Sequence, residues 1–148
     1  MEIKEFLDPS HVMIDVRAAD KGGLLRELAA NSAAALRLSP AAVTDALLQR
    51  EKLGSTGTGG GIAIPHTRLP GIDKPFGMLV RLAQPIDFDA IDGQRVDVVF
   101  LLLLPDQPQG QQLNALACVA RTLRIAEAVR KLRQAADGAA VYRLVAGD

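Results

Sequence analysis

Tryptophan is absent from this chain of 148 residues, cysteine occurs once and histidine twice. A single cysteine, Cys118, excludes an intramolecular disulfide framework and any cysteine-rich metal site. Two histidines leave little room for an all-histidine zinc centre. Net charge is missing as well, because 17 Lys+Arg balance 17 Asp+Glu. That balance argues against a dedicated nucleic-acid binder, whose electrostatic footprint would be basic. The longest uninterrupted apolar run, Val98 to Leu104, falls far short of the roughly 20 residues that cross a bilayer. The charged start from Met1 to Pro9 has no apolar core and does not read as a signal peptide. A cytoplasmic location without direct membrane insertion is therefore expected.

What remains is an ordinary globular composition, with 49% hydrophobic and 23% charged residues. A chain of this length buries roughly 70% of its unfolded surface without staples, so one domain over 1–148 is expected. Residues 11–16 are short and β-branched, which predicts a first strand. Asp20 caps a predicted helix to Leu36, with Leu24, Leu28, Ser32 and Leu36 on one face. Ser39 followed by Pro40 predicts a second helix to about Lys52. Its inner stripe is Val43, Ala46 and Leu47, and Arg50 continues that stripe one turn on.

Strands are predicted over 76–83 and 96–104, with turn or loop material from Pro85 to Gly93 between them. The unbroken apolar character of Val98 to Leu104 marks a central strand covered on both faces. Helices follow over about 109–122, 125–135 and from the Asp137-Gly138 break to about Val145. Leu113, Leu116, Ala117 and Ala120 form the expected buried stripe of the first of these. Together these elements describe an α/β fold in three layers, a sheet flanked by helices.

The segment from Gly54 to Gly61 is the most unusual, with five glycines and three hydroxyl residues in eight positions. It is neither a regular helix nor a central strand, since glycine loses too much entropy in either. Exposed backbone N–H groups would suit an anion such as phosphate. Nucleotide motifs fail: Gly60-Gly61 stand where a Walker loop needs Lys-Ser/Thr, and the dinucleotide pattern meets Ile62 or Ile64 in place of its last glycine. Taken alone, the segment reads equally well as an anion-binding loop or a flexible connector.

His66 supplies context, following Pro65 at the end of the apolar stretch Ile62-Ala63-Ile64. Neutral imidazole is present and nucleophilic near pH 7. An imidazole that accepts a phosphoryl group needs donors for the phosphate oxygens, and the Arg50 guanidinium offers paired ones. Such a group carries about two negative charges, which Arg50 and the loop N–H groups would partly neutralise. No Asp/Glu cluster suggests a metal, and no cofactor is needed when the donor is itself a phosphohistidine. Nothing around His11 suggests chemistry, and it reads as structural.

The run from Arg50-Glu51-Lys52-Leu53-Gly54-Ser55-Thr56-Gly57 through Ile64-Pro65-His66 resembles the signature of the type-2 enzyme IIA domain, the fructose/mannitol class of the bacterial phosphoenolpyruvate-dependent phosphotransferase system. Its opening most resembles the nitrogen-regulatory branch. The resemblance implies a mixed parallel/antiparallel sheet flanked by helices. It implies that an HPr-like carrier, charged by enzyme I, donates a phosphoryl group to His66, with Arg50 stabilising the phosphate. With His66 and Arg50 beside it, the segment is expected to supply the phosphate-binding loop through Gly54, Ser55, Thr56, Gly57, Gly59, Gly60 and Gly61.

The nitrogen branch further implies regulated targets such as kinases or potassium-transport proteins. One position departs from the family: Gln112 stands where relatives carry a second active-site histidine. Its amide can still donate a hydrogen bond but cannot titrate. Two alternatives stay open, a binding module that works without phosphorylation and a sugar-specific IIA component that donates to a IIB domain.

The other conspicuous residues read as structural. Cys118 is a small packing residue, and Arg121, Arg124, Arg130, Lys131 and Arg133 form a solvated helix face. Asp87, Asp89 and Asp92 lack calcium-loop spacing.

Overall fold

The computed structural model describes residues 1–106 and 111–147, the side chains of Gln111 and Gln112 excepted. Two 3-10 turns, Ile3–Glu5 and Pro9–His11, precede strand β1, Val12–Val16. The first strand therefore starts one residue later than the sequence suggests. Pro9 opens the turn, and the His11 N–H closes it on the Asp8 carbonyl at 2.9 Å. The His11 ring packs on Phe76, centroid to centroid 4.9 Å.

Helix α1, Lys21–Leu36, begins where expected because the Asp20 carboxylate accepts the Gly23 N–H at 2.7 Å. Helix α2, Pro40–Lys52, is capped by Ser39 Oγ accepting from the Ala42 N–H, with proline in the first turn. The glycine-rich segment then forms a tight hairpin, β2 (Gly57–Gly59) and β3 (Ile62–Ala63), before β4, His66–Leu69. Strand β5 is Phe76–Ile86 and β6 is Val96–Pro105. β5 thus runs beyond its predicted end at Ala83, through Pro85 to Ile86, which pairs with Val96 after a register irregularity. A proline is tolerated there because the ladder is already disrupted. Three helices complete the chain: α3 (Gln111–Leu123), α4 (Ala126–Gln134) and α5 (Gly138–Ala146).

The sheet is mixed, ordered β1-β5-β6-β3-β2 with β4 also paired to β6. β1 lies parallel to β5, β5 antiparallel to β6, and both β3 and β4 parallel to β6. β3 and β4 lie in succession along the same side of β6, interrupted at Ile64-Pro65. The Pro65 carbonyl bridges the break by accepting the Leu102 N–H at 2.9 Å.

Side chains of β6 alternate between two cores, as a pleated strand requires. Val99, Leu101 and Leu103 join α1 and α2, whereas Val98, Phe100, Leu102 and Leu104 join α3, α4, α5 and the N-terminal turn. Each fully buried aliphatic side chain contributes roughly 1.5–3 kcal/mol, so this one strand organises both layers.

The buried face of α3 differs from the expected one. Ala115, Cys118, Val119 and Leu123 are buried, Leu116 and Ala120 pack at the margin, and Leu113 is 73% exposed. Apolar residues surround much of this helix, so periodicity alone offers two overlapping stripes. Contact with Val98, Phe100 and Ile3 selects between them. The basic face on α4 is partly committed: Arg133 pairs with Asp97 at 2.9 Å, and Arg130 pairs with Glu127.

Candidate functional site

Arg50, Glu51, Thr56 and His66 are brought together where α2 ends and β4 begins. The last turn of α2 carries the first two, and the Leu53 N–H closes that turn on the Arg50 and Glu51 carbonyls. Arg50 is half-buried and donates from Nη1 to the Gly54 carbonyl at 2.9 Å. One of its five N–H donors thus fixes the guanidinium against the chain leaving the helix.

His66 is half-buried at the start of β4, and its backbone is in register with Leu102. The ring Nδ1 lies 2.6 Å from the Ile64 carbonyl oxygen. A carbonyl only accepts, so the neutral ring carries its proton on Nδ1 and its lone pair on Nε2. Burial is the main force holding the imidazole pKa below its ordinary value. The Ile64 carbonyl opposes that shift, the Arg50 charge adds to it, and Glu51 opposes it again.

The glycine-rich segment is split between two places. Gly54, Ser55 and Thr56 leave α2 beside the histidine, and the Thr56 carbonyl accepts the Ile64 N–H at 3.0 Å. Gly57 needs no side chain because a Cβ there would stand 2.8 Å from the Ala90 Cβ. Gly59, Gly60 and Gly61 form the hairpin tip at the other end of β3. Gly61 accepts the Asp97 and Val98 N–H groups through its carbonyl, whereas His66 is level with Leu102. Four strand residues, about 13 Å, separate those levels.

The tip serves packing. Gly61 has φ +82° and lies against the Arg133 guanidinium, where a Cβ would collide. Arg133 also donates to the Gly60 carbonyl at 2.7 Å. Four N–H groups of the segment already have acceptors: Gly54 on the Glu51 carbonyl, Thr56 on the Glu51 carboxylate, Gly57 on Ser55 Oγ and Gly60 on Asp92. An anion at His66 would therefore meet the Gly54 end of the segment and not its tip.

Gln112 falls in the first turn of α3, and its side chain lies outside the described residues. Sequence reasoning overlooked Lys21, whose Nζ is 2.6 Å from Glu51 Oε2 and 3.3 Å from the Phe88 carbonyl oxygen. The only local signal was its place directly after the Asp20 cap, which any helix could show. A groove of about 580 Å³ runs between the hairpin and α4, with Ile62, Ile64, Leu123 and Val129 among its lining. Among the described residues, no group of three His, Cys, Asp or Glu could hold a metal ion. None of their helices is long and apolar enough to cross a membrane.

Known proteins are similar to this one across nearly the whole chain. The family described as "Phosphoenolpyruvate-dependent sugar phosphotransferase system, EIIA 2" matches residues 5–147. The nitrogen regulatory protein of Bradyrhizobium diazoefficiens is 44% identical over 146 residues, covering 99% of this chain and 95% of that protein. Its counterpart from Pseudomonas aeruginosa is 36% identical over 146 residues, covering 98% of this chain and 95% of its own length. The crystal structure of nitrogen regulatory protein IIA-Ntr from Neisseria meningitidis superposes with a TM-score of 0.91 at 34% identity, covering 97% of this chain and 98% of that one.

Proposed function

Because the chain belongs to the EIIA type-2 family of the phosphoenolpyruvate-dependent phosphotransferase system, in its nitrogen-regulatory branch, we propose that it is a phosphoryl carrier with His66 as the acceptor. The observation that carries this reading is the Nδ1–Ile64 contact at 2.6 Å, which leaves the Nε2 lone pair as the nucleophile. Nε2 attacks the phosphorus of a phosphohistidine donor, the new N–P bond forms, and the donor's N–P bond breaks. The departing electron pair stays on the donor imidazole. Positive charge grows on the His66 ring as it is substituted, and the Nδ1–H···O bond to Ile64 strengthens in response. Arg50 and the Gly54 end of the loop face the incoming phosphoryl charge.

The donor is an HPr-like carrier charged by enzyme I, and the phosphorylation state sets binding to regulated proteins such as kinases or potassium-transport proteins. Leu53, 85% exposed at the end of the helix that carries Arg50, offers apolar surface for such a partner. Gln112 replaces a titrating group by an uncharged donor, so acceptance proceeds without a second imidazole. The chain acts in the cytoplasm as one domain over 1–148.

Incubation with phosphoenolpyruvate, enzyme I and the carrier is the direct test. One acid-labile, base-stable phosphoryl group per chain is expected. An unmodified chain, beside a known IIA domain labelled in the same tube, would overturn the reading.

The lowered His66 pKa yields a separate expectation. Titration of the ring Cε1–H resonance should show a midpoint below about 6.5, the ordinary imidazole value. The unfolded chain then binds a proton that the folded one resists. The stabilisation from neutral His66 is full above about pH 6.5 and is lost as pH falls through the folded midpoint. A midpoint at or above the ordinary value contradicts burial as the dominant influence.

A further inference from the structure

Glu51 is the most deeply placed acid beside the site, with its side chain only 6% exposed. Burying a carboxylate is costly unless it is paired and hydrogen-bonded, and this one has three polar partners. Lys21 Nζ reaches Oε2 from the start of α1 at 2.6 Å. The Thr56 hydroxyl donates to Oε1, and the Thr56 N–H donates to Oε2 at 3.3 Å. Thr56 is itself 4% exposed. A second anchor lies alongside, where Lys21 Nζ and Ser55 Oγ both donate to the carbonyl of buried Phe88, at 3.3 and 2.7 Å.

From Thr56 the chain of contacts continues to the histidine. The Thr56 carbonyl accepts the Ile64 N–H at 3.0 Å, and the Ile64 carbonyl holds His66 Nδ1 at 2.6 Å. Five residues from α1, α2, the loop and the edge strand thus form one hydrogen-bonded line. Its effect is to place the Ile64 carbonyl oxygen, and that oxygen dictates which ring nitrogen carries the proton.

We propose that Lys21, Glu51 and Thr56 form a positioning relay that orients the His66 imidazole and keeps its proton on Nδ1, so that Nε2 faces the donor. The relay rests on the reading of His66 as phosphoryl acceptor. The internal pairing of Lys21 with Glu51 also keeps the buried carboxylate from opposing an incoming dianion with an uncompensated charge. Misplacing a reacting group by about 1 Å costs up to 100-fold in rate, so a loosened relay should be visible in transfer.

Thr56→Val keeps the side-chain shape and removes the hydroxyl donor, Thr56→Ser restores it, and Lys21→Met strips the relay from its far end without touching the loop. In the unphosphorylated full chain, the ¹⁵N shifts of the His66 ring report which nitrogen is protonated. Wild type and Thr56→Ser should show the Nδ1–H tautomer, whereas Thr56→Val and Lys21→Met should show a tautomer mixture. Initial rates of phosphoryl uptake should fall about 10- to 100-fold in the same two variants and recover in Thr56→Ser. The ring shifts require no phosphoryl transfer, so a wild type that takes up no phosphate would sink the carrier reading and leave the relay to stand on the tautomer result. Where Thr56→Val does not fold, Lys21→Met carries the test. An unchanged His66 tautomer in a folded variant overturns the relay, as does a rate that Thr56→Ser fails to restore.

Discussion

His66→Ala will take up no phosphoryl group from a charged phosphohistidine carrier under conditions that label the wild type fully, and His11→Ala will be labelled like the wild type. The chain offers few other nucleophiles. His11 ends a 3-10 turn with its ring against Phe76. Cys118 is 5% exposed within α3 and faces the core shared with Val98 and Phe100. Only His66 combines partial exposure, a fixed Nδ1 partner and a guanidinium close enough to lower its pKa. The substitution should be mild for the fold, because the backbone of residue 66 keeps its place beside Leu102 and the lost ring is half-buried. Label retained on His66→Ala at the wild-type level would place the acceptor elsewhere.

Arg50→Ala should accept phosphate about 10²–10³-fold more slowly, the usual consequence of removing one preorganised charge donor from a reacting anion. Its Nη1 bond to the Gly54 carbonyl holds the guanidinium in place before any phosphate arrives, so little ordering remains to be done on binding. Arg50→Lys should restore only part of the rate. A point-charge ammonium cannot hold the Gly54 carbonyl and present a planar fork together.

A second readout separates electrostatics from loop structure. The Arg50 charge depresses the His66 pKa, so Arg50→Ala should move the ring midpoint upward, and Arg50→Lys should keep it lower. Wild-type transfer with an unmoved midpoint would confine Arg50 to holding the Gly54 carbonyl.

Much of the architecture was legible because its signals are local. Asp20 and the Ser39-Pro40 pair announce α1 and α2 through hydrogen bonds that close within three residues. The apolar run from Val98 to Leu104 announces a central strand because both of its faces are covered. The misreadings lie where local signals compete. On α3, Leu113 and Ala115 belong to different stripes of nearly equal apolar character, and only the neighbouring strand distinguishes them. At Pro85, a turn-forming residue sits in a strand because the ladder between Arg81 and Ile86 is already irregular.

The sequence by itself determined the chemistry available here: one histidine after an apolar strand and a proline, one arginine at a helix end, and a hydroxyl-rich glycine segment between them. Those are properties of neighbouring residues, and short-range rules read them. Only the tertiary structure decided which half of the glycine segment lies at the histidine. Pairing with β6 places the Gly59–Gly61 tip beside Asp97, five residues along the strand from Leu102 at the level of His66. It also decided that Lys21 neutralises Glu51 and that Ile64 orients the ring. Lys21 and Glu51 stand 30 positions apart and meet only because α1 packs on α2. No periodicity encodes such a meeting; it follows from burying two helices on one face of a sheet.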